Sequence, residues 1–421
     1  MDGNDFLNLA AEEREQLRFE RLQSTLNRAY RNVPFHQKRQ NELAAASGKD
    51  PSLLENLGGI ASLPFMERHH LGEHYPYGLF AVPLRDIVRI HTAPGTSFNP
   101  TVSGYTPNDL NAWRNMMGRA LSAAGLSSLD ILQISLDTGL NNWGRDYKEG
   151  GETLAVAVIP HTSLAAEKQL MVLRDYKTSV LVTTPTQAAH LASQLFRAGL
   201  NPTVLNLKRI ILVGEPVAAQ FRKDLEAQLH TETWVHFGLS EVPGPAIAFE
   251  CDHHQGLHLQ EDHFLAEIID PANGAVVPDG SAGELVLTTL TARAFPLIRF
   301  RTGEGARLLE APCPCGRPLK RLEWLEKRTD GLLNLNGVRV NPQLIQAHLS
   351  RQLGFAPACS HTVRRPTLMP PYLEVAIAVN ESLFSDEMKV LEQRMRAIQV
   401  LLQENLGVPV SVVLGEKKDP A

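Results

Sequence analysis

The stretch Trp234-Val235-His236-Phe237-Gly238-Leu239-Ser240-Glu241 decides the fold. A short apolar run ends at a glycine, and a hydroxyl and a carboxylate follow directly. In an α/β fold, ligands bind just beyond the carboxyl ends of the strands, which is where Ser240 and Glu241 fall. A carboxylate there can hold Mg²⁺, which prefers oxygen ligands and often bridges to nucleotide phosphates. The alternative is a strand end followed by a solvated loop.

Strand and helix patterns alternate around this stretch. The clearest helix covers 216–229, with apolar residues on one face and Pro216 in its first turn. Near the N-terminus, residues 11–32 predict an amphipathic helix that ends before Pro34. The alternation predicts an α/β fold, with a mostly parallel sheet covered by helices. The predicted strands are Ile131–Ile134, Leu154–Ile159, Ser179–Val182, Arg209–Val213 and Thr233–Phe237.

The pattern changes after residue 243. Proline and glycine separate short apolar runs such as Gly283–Thr289, which predicts an antiparallel or barrel-like β subdomain at about 244–326. The end of the chain has its own strand patterns at 374–379 and 410–414 and a helical pattern near 386–405. We therefore expect a large N-terminal domain at 1–328 and a small C-terminal α+β domain at 329–421.

Composition excludes several classes of protein. The 421 residues are 43% apolar and 21% charged, and the net charge of −5 argues against a nucleic-acid-binding protein. No apolar run approaches the ~18 residues of a membrane span, and the first residues lack the basic and apolar parts of a signal peptide. Only four cysteines occur, which argues against a disulfide scaffold. We expect a cytoplasmic protein that binds neither nucleic acid nor membrane.

A set of ordered motifs covers nearly the whole chain, from roughly residue 30 to residue 415. In chain order they are Pro100–Leu110, Gly214-Glu215-Pro216, Phe237–Pro245, Glu261–Phe264, Glu267–Pro271, Phe300–Glu304 and Arg328-Thr329-Asp330. Their order and spacing resemble the phenylacetate–CoA ligases of the acyl-adenylate-forming superfamily. The resemblance implies that a carboxylate attacks the α-phosphorus of ATP, and that a thiol, usually of CoA, then displaces AMP. Such chemistry needs positioning and charge stabilisation around phosphates.

The resemblance also implies roles for residues at matching positions. Ser240 would contact phosphate, Glu241 would hold Mg²⁺, and Arg328 would reach ribose or phosphate. Glu304 would accept the ribose hydroxyls, and Asp330 would be the hinge of a mobile C-terminal domain. Each residue alone has an ordinary explanation, such as a turn carboxylate or a surface cation, and their shared order favours the functional one. The residues implied to flank the adenine are Gly214, Glu215, Pro216, Phe237 and Gly238.

Two departures from the family concern phosphate chemistry. The stretch Ala93–Pro100 aligns with the family's phosphate loop, S-S-G-T-T-G-K-P, but Phe98 replaces a glycine and Asn99 replaces the lysine. The first change hinders close approach of phosphate, and the second removes a positive charge. The superfamily's adenylation lysine lies near the C-terminus, and Lys417 and Lys418 do not match its motif by position. The loop residues still predicted to bind nucleotide are Gly95, Thr96 and Ser97.

A third departure lies in the region of the acid. Residues Thr138–Tyr147 stand where the family has an aromatic, glycine-rich sequence. If they line the pocket, the acid is more polar than phenylacetate, because an apolar pocket rejects polar groups. The alternative is that Arg145, Asp146 and Lys148 form a solvated helix face. The predicted pocket residues are Asn141, Asn142, Trp143 and Gly144.

Three of the four cysteines lie in two short clusters, and the first cluster also contains histidines. Three thiolates and one imidazole form a closed tetrahedral set that favours structural Zn²⁺. Some members of the resembled family carry the same pattern. His253 and His254 are the alternative imidazoles, buried reduced thiols are the alternative to a metal, and Cys359 stands apart as a core or free thiol. The predicted ligands are Cys251, His258, Cys313 and Cys315.

Two hypotheses about function follow. The first is an ATP- and Mg²⁺-dependent acid–thiol ligase that forms AMP and transfers an aryl or similar carboxylic acid to CoA or a carrier thiol. The second is a degenerate ligase that binds an acyl-nucleotide or CoA ester as a non-catalytic accessory protein. Glu241 and Glu304 favour the enzyme, whereas Phe98 and Asn99 favour the accessory protein. The family resemblance suggests a homodimer.

Overall fold

The computed structural model describes residues 5–48, 54–93, 99–136, 141–160, 166–242, 244–335, 337–364, 372–378 and 388–415. Its α-helices are α1 (Asp5–Asn8), α2 (Ala11–Asn32), α3 (Pro34–Ser47), α4 (Arg68–Glu73), α5 (Pro107–Ala123), α6 (Asn141–Thr153), α7 (Ala166–Asp175), α8 (Pro185–Arg197), α9 (Ala219–Leu229), α10 (Pro342–Leu353) and α11 (Met388–Leu406). Its β-strands are β1 (Arg89–Ala93), β2 (Thr101–Tyr105), β3 (Ile131–Ile134), β4 (Ala157–Ile159), β5 (Val180–Thr183), β6 (Arg209–Val213), β7 (Glu232–Phe237), β8 (Ala248–Phe249), β9 (Leu257–Leu259), β10 (Phe264–Ile269), β11 (Ala282–Thr289), β12 (Phe300–Leu309), β13 (Arg321–Trp324), β14 (Leu333–Leu335), β15 (Val338–Val340), β16 (Cys359–Arg364), β17 (Tyr372–Ala378) and β18 (Val410–Gly415).

An eleven-stranded sheet forms the centre of the molecule, in the order β10-β11-β12-β13-β9-β8-β7-β6-β5-β3-β4. The half from β4 to β7 is parallel, and helices connect its strands. This arrangement confirms the predicted α/β class. The predicted strands β3 and β6 have the observed bounds, whereas β4 begins at Ala157 and not at Leu154, because α6 continues to Thr153.

Strand β7 lies where the two halves of the sheet meet. It pairs in parallel with β6 and antiparallel with β8, where His236 faces Phe249 and Phe237 faces Ala248. Its residues after Glu232 are all buried. The chain leaves the sheet after Phe237, so Ser240 and Glu241 follow the carboxyl end of a central strand, as the sequence predicts.

The antiparallel strands β8 to β13 continue the same sheet. Strand β11 pairs with both β10 and β12, and its register with β12 shifts between Glu284 and Val286. The antiparallel pairing predicted for this part of the chain is therefore present. A barrel-like closure and the bounds 244–326 stay predictions.

Two helix ends bear on the predictions. Helix α2 covers Ala11–Asn32 and stops at the extended Val33, because a residue that precedes proline disfavours helical geometry. Helix α9 begins at Ala219, so the prediction that Pro216 lies in its first turn is wrong. Pro216 instead belongs to the loop that follows β6, where it lines a cavity together with Glu304 of β12.

The C-terminal part contains the β14–β15 hairpin and a three-stranded sheet, β16-β17-β18. Alternate residues of β17, Leu373, Val375 and Ile377, are buried in the same apolar cluster as Leu402 and Leu406 of α11. The strand and helix types predicted for this region are correct, and the boundary at 328/329 stays a prediction. Among the described residues, no helix has the length and apolar character needed to cross a membrane.

Candidate active site

Glu304 in β12 is the most heavily paired carboxylate of the site. It is 2% exposed, and Arg339 of the β14–β15 hairpin donates to its Oε1 from Nε at 3.1 Å and from Nη2 at 2.9 Å. Arg328 contacts the same oxygen, and Trp324 Nε1 donates to Oε2 at 3.1 Å. Burial alone would raise the pKa of Glu304, but the charges of Arg339 and Arg328 outweigh it and lower the pKa to about 2. The carboxylate is therefore ionised at neutral pH.

Arg328 and Asp330 extend this network. Arg328 donates from Nε to Asp330 Oδ1 at 2.9 Å and from Nη2 to the Thr302 carbonyl at 3.1 Å. The Asp330 carboxylate lies against Gly303, where an added Cβ would be 2.0 Å from Oδ2. Gly303 also has a φ of +70°, so both its conformation and its neighbour require glycine at this position. The tight turn brings Asp330 next to the strand that carries Glu304.

Glu241 forms the other end of the site. Its side chain is buried, and it forms an ion pair with Arg68 of α4. Arg68 Nη2 donates to the Thr302 carbonyl at 2.8 Å, and its Nε lies 4.0 Å from Asp330 Oδ2. Glu241 is thus linked to the Arg328–Asp330 pair through one arginine. Ser240 precedes Glu241 and is half-buried at the same strand end.

A cavity of about 330 Å³ opens beside Glu304, within the size range of small-molecule pockets. Glu215 accepts a hydrogen bond from Thr186 Oγ1 at 2.8 Å on one wall. Asn334 Nδ2 donates to the Gly214 carbonyl at 3.1 Å, so the β14–β15 hairpin touches the loop after β6. The cavity lining includes Thr186, Glu215, Pro216, Glu304, Arg328 and Asn334.

Phe237 and Gly238 are tightly packed at the end of β7. Phe237 is fully buried, and its ring meets the Trp324 ring edge-on at 4.9 Å, which supports the indole that donates to Glu304. A Cβ on Gly238 would lie 2.5 Å from the Cα of Pro245, so no larger residue fits there. The predicted residues of the 214–216, 237–241 and 304–330 segments therefore lie around one region of the molecule.

Several predicted residues cannot be placed in the same way. Gly95, Thr96, Ser97 and Phe98 lie outside the described residues, as do Lys417 and Lys418. Asn99 is described, and its Nδ2 donates to the Gly72 carbonyl of α4 at 3.1 Å. Asn141 and Asn142 belong to the first turn of α6, and their side chains are not among those described.

Helix α6 carries the region predicted to meet the acid. Trp143 is buried, and a Cβ on Gly144 would lie 3.4 Å from Ile134. Asp146 is 3% exposed and lies 3.4 Å from Arg89, so the alternative of a solvated face is wrong for this residue. Burial raises the pKa of Asp146 well above its usual value. Lys148 forms an ion pair with Glu152 on the partly exposed side of the helix.

Two residues to which the sequence analysis assigned no role pair at this helix, Tyr147 of α6 and His236 of β7. The Tyr147 hydroxyl and His236 Nδ1 form a hydrogen bond of 2.9 Å, and both side chains are fully buried. Burial lowers the pKa of His236 to about 3, so the ring is neutral. His236 Nε2 has no hydrogen-bond partner among the described residues. A histidine in the apolar run Trp234–Phe237 was the available signal for this pair.

The thiol cluster has the spacing of a metal site. Cys251 and Cys313 have sulfurs 3.7 Å apart, and Cys315 Sγ lies 3.4 Å from His258 Nε2. Sulfurs on one tetrahedral zinc, with Zn–S bonds of about 2.3 Å, lie roughly 3.8 Å apart. The four ligand atoms all lie within 4.8 Å of one another, so the donor set fits Zn²⁺. This cluster is distinct from the cavity beside Glu304.

The other thiol and imidazoles have different surroundings. His254 Nδ1 lies 3.2 Å from Glu250 and 2.8 Å from Arg222, and His253 is exposed. Cys359 Sγ donates to Gln346 Oε1 at 2.9 Å in the C-terminal part. Neither alternative histidine belongs to the cluster of thiols.

Sequence relatives place the chain in a family. A phenylacetate-coenzyme A ligase of Thermus thermophilus is 34% identical over 418 residues, which cover 96% of this chain and 93% of the relative. The chain belongs to the phenylacetate–CoA ligase family. The phenylacetate-coenzyme A ligase of Pseudomonas putida is 39% identical over 332 residues, which cover 79% of this chain and 74% of that ligase. The phenylacetate-coenzyme A ligase of Escherichia coli K12 is 35% identical over 342 residues, which cover 81% of this chain and 77% of that ligase. No protein-family model matches the chain.

Membership in the phenylacetate–CoA ligase family makes the protein an ATP-dependent enzyme that joins a carboxylic acid to CoA through an acyl-adenylate. A solved structure of 2-hydroxyisobutyryl-CoA ligase with 2-HIB-AMP and CoA, in the thioesterification state, matches with a TM-score of 0.89 at 25% identity, covering 99% of this chain and 90% of that one. The structure of the same ligase in the postadenylation state with 2-HIB-AMP matches with a TM-score of 0.70 at 25% identity, covering 98% of this chain and 88% of that one. The chain therefore superposes better on the thioesterification-state structure than on the postadenylation-state structure.

Proposed function

We propose that the enzyme activates a carboxylic acid more polar than phenylacetate, with Mg²⁺-ATP, and transfers it to CoA. The observation that carries the nucleotide part is the buried Glu304 carboxylate, which faces the cavity of about 330 Å³ together with Arg328. An ionised carboxylate is a strong acceptor for paired hydroxyl donors such as those of a ribose. In this proposal Glu215 and Pro216 lie against the adenine.

The Tyr147–His236 pair supports a polar acid. His236 is buried and neutral, and its Nε2 lacks a partner among the described residues. Leaving a buried polar atom unpaired costs about 1–3 kcal/mol, so a substrate hydroxyl or heteroatom that pairs with it would gain affinity over a phenyl ring. Trp143 and Gly144 of α6, with Asn141 and Asn142, complete the proposed acid site.

Glu241 is the proposed ligand of Mg²⁺. It lies beyond the carboxyl end of β7, beside Ser240 and linked to Asp330 through Arg68. A buried carboxylate suits Mg²⁺, which commonly takes only one or two carboxylates from protein. When bound, the ion would supply charge neutralisation at the phosphates, and Ser240 would hydrogen-bond to them.

The proposed hinge at Asp330 divides the chain into domains at 1–328 and 329–421. Arg339 and Asn334 belong to the smaller domain and contact Glu304 and Gly214 of the larger one. A ribose that binds to Glu304 competes with Arg339 for the same carboxylate. We therefore infer that ribose binding changes the contact between Arg339 and Glu304 Oε1.

Cys251, His258, Cys313 and Cys315 are the proposed ligands of a structural zinc ion. Four protein ligands leave no open position on a tetrahedral ion, so the metal would stabilise the fold and take no part in the reaction. It would tie the loop after β8 to the loop after β12. A homodimer and a cytoplasmic location stay predictions.

Pyrophosphate release tests the proposed acid class directly. The assay would contain Mg²⁺-ATP and CoA with matched acids: phenylacetate, its ring-hydroxylated derivatives, heteroaryl acetates and 2-hydroxyisobutyrate. We expect a higher kcat/KM for a hydroxylated or heteroaromatic acid than for phenylacetate, and loss of release in Glu304→Gln. A clear preference for phenylacetate would contradict the polar acid site, and release that is unchanged in Glu304→Gln would contradict the nucleotide site.

A further inference from the structure

Arg68 is a buried cation inside the site, although it belongs to a short helix far from the family's nucleotide motifs in sequence. Its side chain is 12% exposed and contacts the Glu241 carboxylate. The Thr302 carbonyl accepts from its Nη2 at 2.8 Å, and its guanidinium carbon lies 5.5 Å from the centre of the Phe300 ring. The Thr302 carbonyl and the Phe300 ring therefore position the Arg68 guanidinium between Glu241 and β12.

Arg68 lies in a cluster in which cationic and anionic side chains are equal in number. Arg328 and Arg339 are the nearby cations, and Glu304, Glu241 and Asp330 are the nearby anions. Burial first, and then the charge of Arg328, lowers the pKa of Arg68 to about 10, so it stays protonated at neutral pH. If Mg²⁺ binds Glu241, Arg68 loses its main anionic partner and needs another, which a phosphate oxygen can supply.

Asn99 connects this arginine to the altered phosphate loop. Asn99 stands where the resembled family has its loop lysine, and its side chain donates to the Gly72 carbonyl at 3.1 Å. Gly72 is a buried residue of α4, the helix that begins at Arg68. Asn99, which replaces the lysine, therefore forms a hydrogen bond with α4, the helix that carries Arg68.

We propose that Arg68 binds the phosphate chain of ATP and supplies the positive charge that the loop lacks. In this proposal Arg68 exchanges the Glu241 carboxylate for a phosphate oxygen when Mg²⁺ binds to Glu241. The inference rests on the proposed function, because it assumes that the cavity beside Glu304 takes the adenosine part of ATP. A planar guanidinium suits phosphate because it can donate two parallel hydrogen bonds.

Calorimetric titration with ATP and with adenosine tests this role without knowledge of the acid. We expect Arg68→Ala to bind Mg²⁺-ATP at least about tenfold more weakly, or ~1.4 kcal/mol, with unchanged affinity for adenosine. Arg68→Lys should keep part of the affinity, because it keeps the charge but not the fork. Arg301→Ala is the matched control, since Arg301 is an arginine of β12 whose ion pair is with Glu284 and not with Glu241.

The outcomes separate the inference from the proposed function. Equal affinity of wild type and Arg68→Ala for Mg²⁺-ATP would overturn the inference, as would a parallel loss of ATP and adenosine binding. A wild-type protein that binds neither ligand would refute the proposed nucleotide site itself. With EDTA in place of Mg²⁺, the difference between wild type and Arg68→Ala should shrink, and an equally large difference would contradict the exchange at Glu241.

Discussion

Arg339 Nη2 lies 2.9 Å from Glu304 Oε1, which places an arginine from the C-terminal part of the chain on a carboxylate of the central sheet. Arg328 contacts the same oxygen, so the carboxylate is largely occupied by protein donors. A sugar hydroxyl that approaches Oε1 must compete with Arg339, whereas Oε2 accepts from Trp324. The ion pair therefore links the proposed nucleotide site to the C-terminal part of the chain.

Arg339→Met should strengthen AMP binding several-fold in the absence of CoA, because it removes the competing donor and leaves Arg328 on Glu304. Calorimetric titration with AMP measures this effect. Arg364→Met is a matched control, since Arg364 is an exposed arginine of the C-terminal sheet that forms its ion pair with Glu374. Weaker AMP binding in Arg339→Met would show that Arg339 itself contacts the nucleotide.

The pH dependence of stability should report on Glu304. Its pKa is lowered from 4.5 to about 2, so the ionised group stabilises the folded state above its unfolded pKa, and this contribution disappears as pH falls through the folded pKa. The shift corresponds to roughly 3 kcal/mol at neutral pH. In urea unfolding, Glu304→Gln should be less stable than wild type at pH 7, and the difference should narrow between about pH 5 and pH 2. A difference that is constant over this range would contradict the low pKa.

Zinc content should follow the thiol cluster. We expect one zinc ion per chain by elemental analysis of protein purified without chelator. Cys313→Ser should lose the metal and lower the Tm, because the remaining three ligands no longer close the tetrahedral set. Cys359→Ser is the control. This variant should bind as much zinc as wild type, since Cys359 lies in the C-terminal part and donates a hydrogen bond to Gln346. Wild-type protein with no bound metal would refute the site.

Tyr147→Phe should lower stability and shift the choice of acid. It removes the partner of buried His236 Nδ1, which should cost about 1–3 kcal/mol of unfolding free energy. If the pair orients His236 toward the acid, the ratio of kcat/KM for a hydroxylated acid over phenylacetate should also fall. Tyr176→Phe, at an exposed tyrosine, should change neither quantity. A stability loss with an unchanged ratio would restrict the pair to a structural role.

Local patterns were sufficient for much of the fold. The strands β3 and β6 and the helix α2 were predicted with their observed bounds, because apolar runs and the Val33-Pro34 signal are local. The start of α9 was misplaced, since proline suits a first turn but equally suits the extended loop that precedes Ala219. The bounds of β4 were wrong because the sequence of α6 carries few strong helix formers near its end.

The site was only partly accessible from sequence. Ordered motifs indicated Glu241, Glu304 and Arg328, which the structure places around one region. The ion pair between Arg68 and Glu241 joins segments that are far apart in the chain. The periodicity of apolar residues within a segment cannot predict such a contact. The sequence left the burial of Asp146 undecided for a similar reason, because its partner Arg89 comes from a distant strand.

The position of β7 has a consequence for how the enzyme can be divided. Strand β7 pairs with β6 on one side and with β8 on the other. One neighbouring strand therefore belongs to the parallel half of the sheet and the other to the antiparallel half. A slip of one residue would turn every side chain of the strand to the opposite face. Neither half of the molecule alone can therefore hold Glu241 in place. Fragments split near residue 240 should regain ATP binding only when they are reassembled, which makes this strand a natural joint for a split-protein reporter.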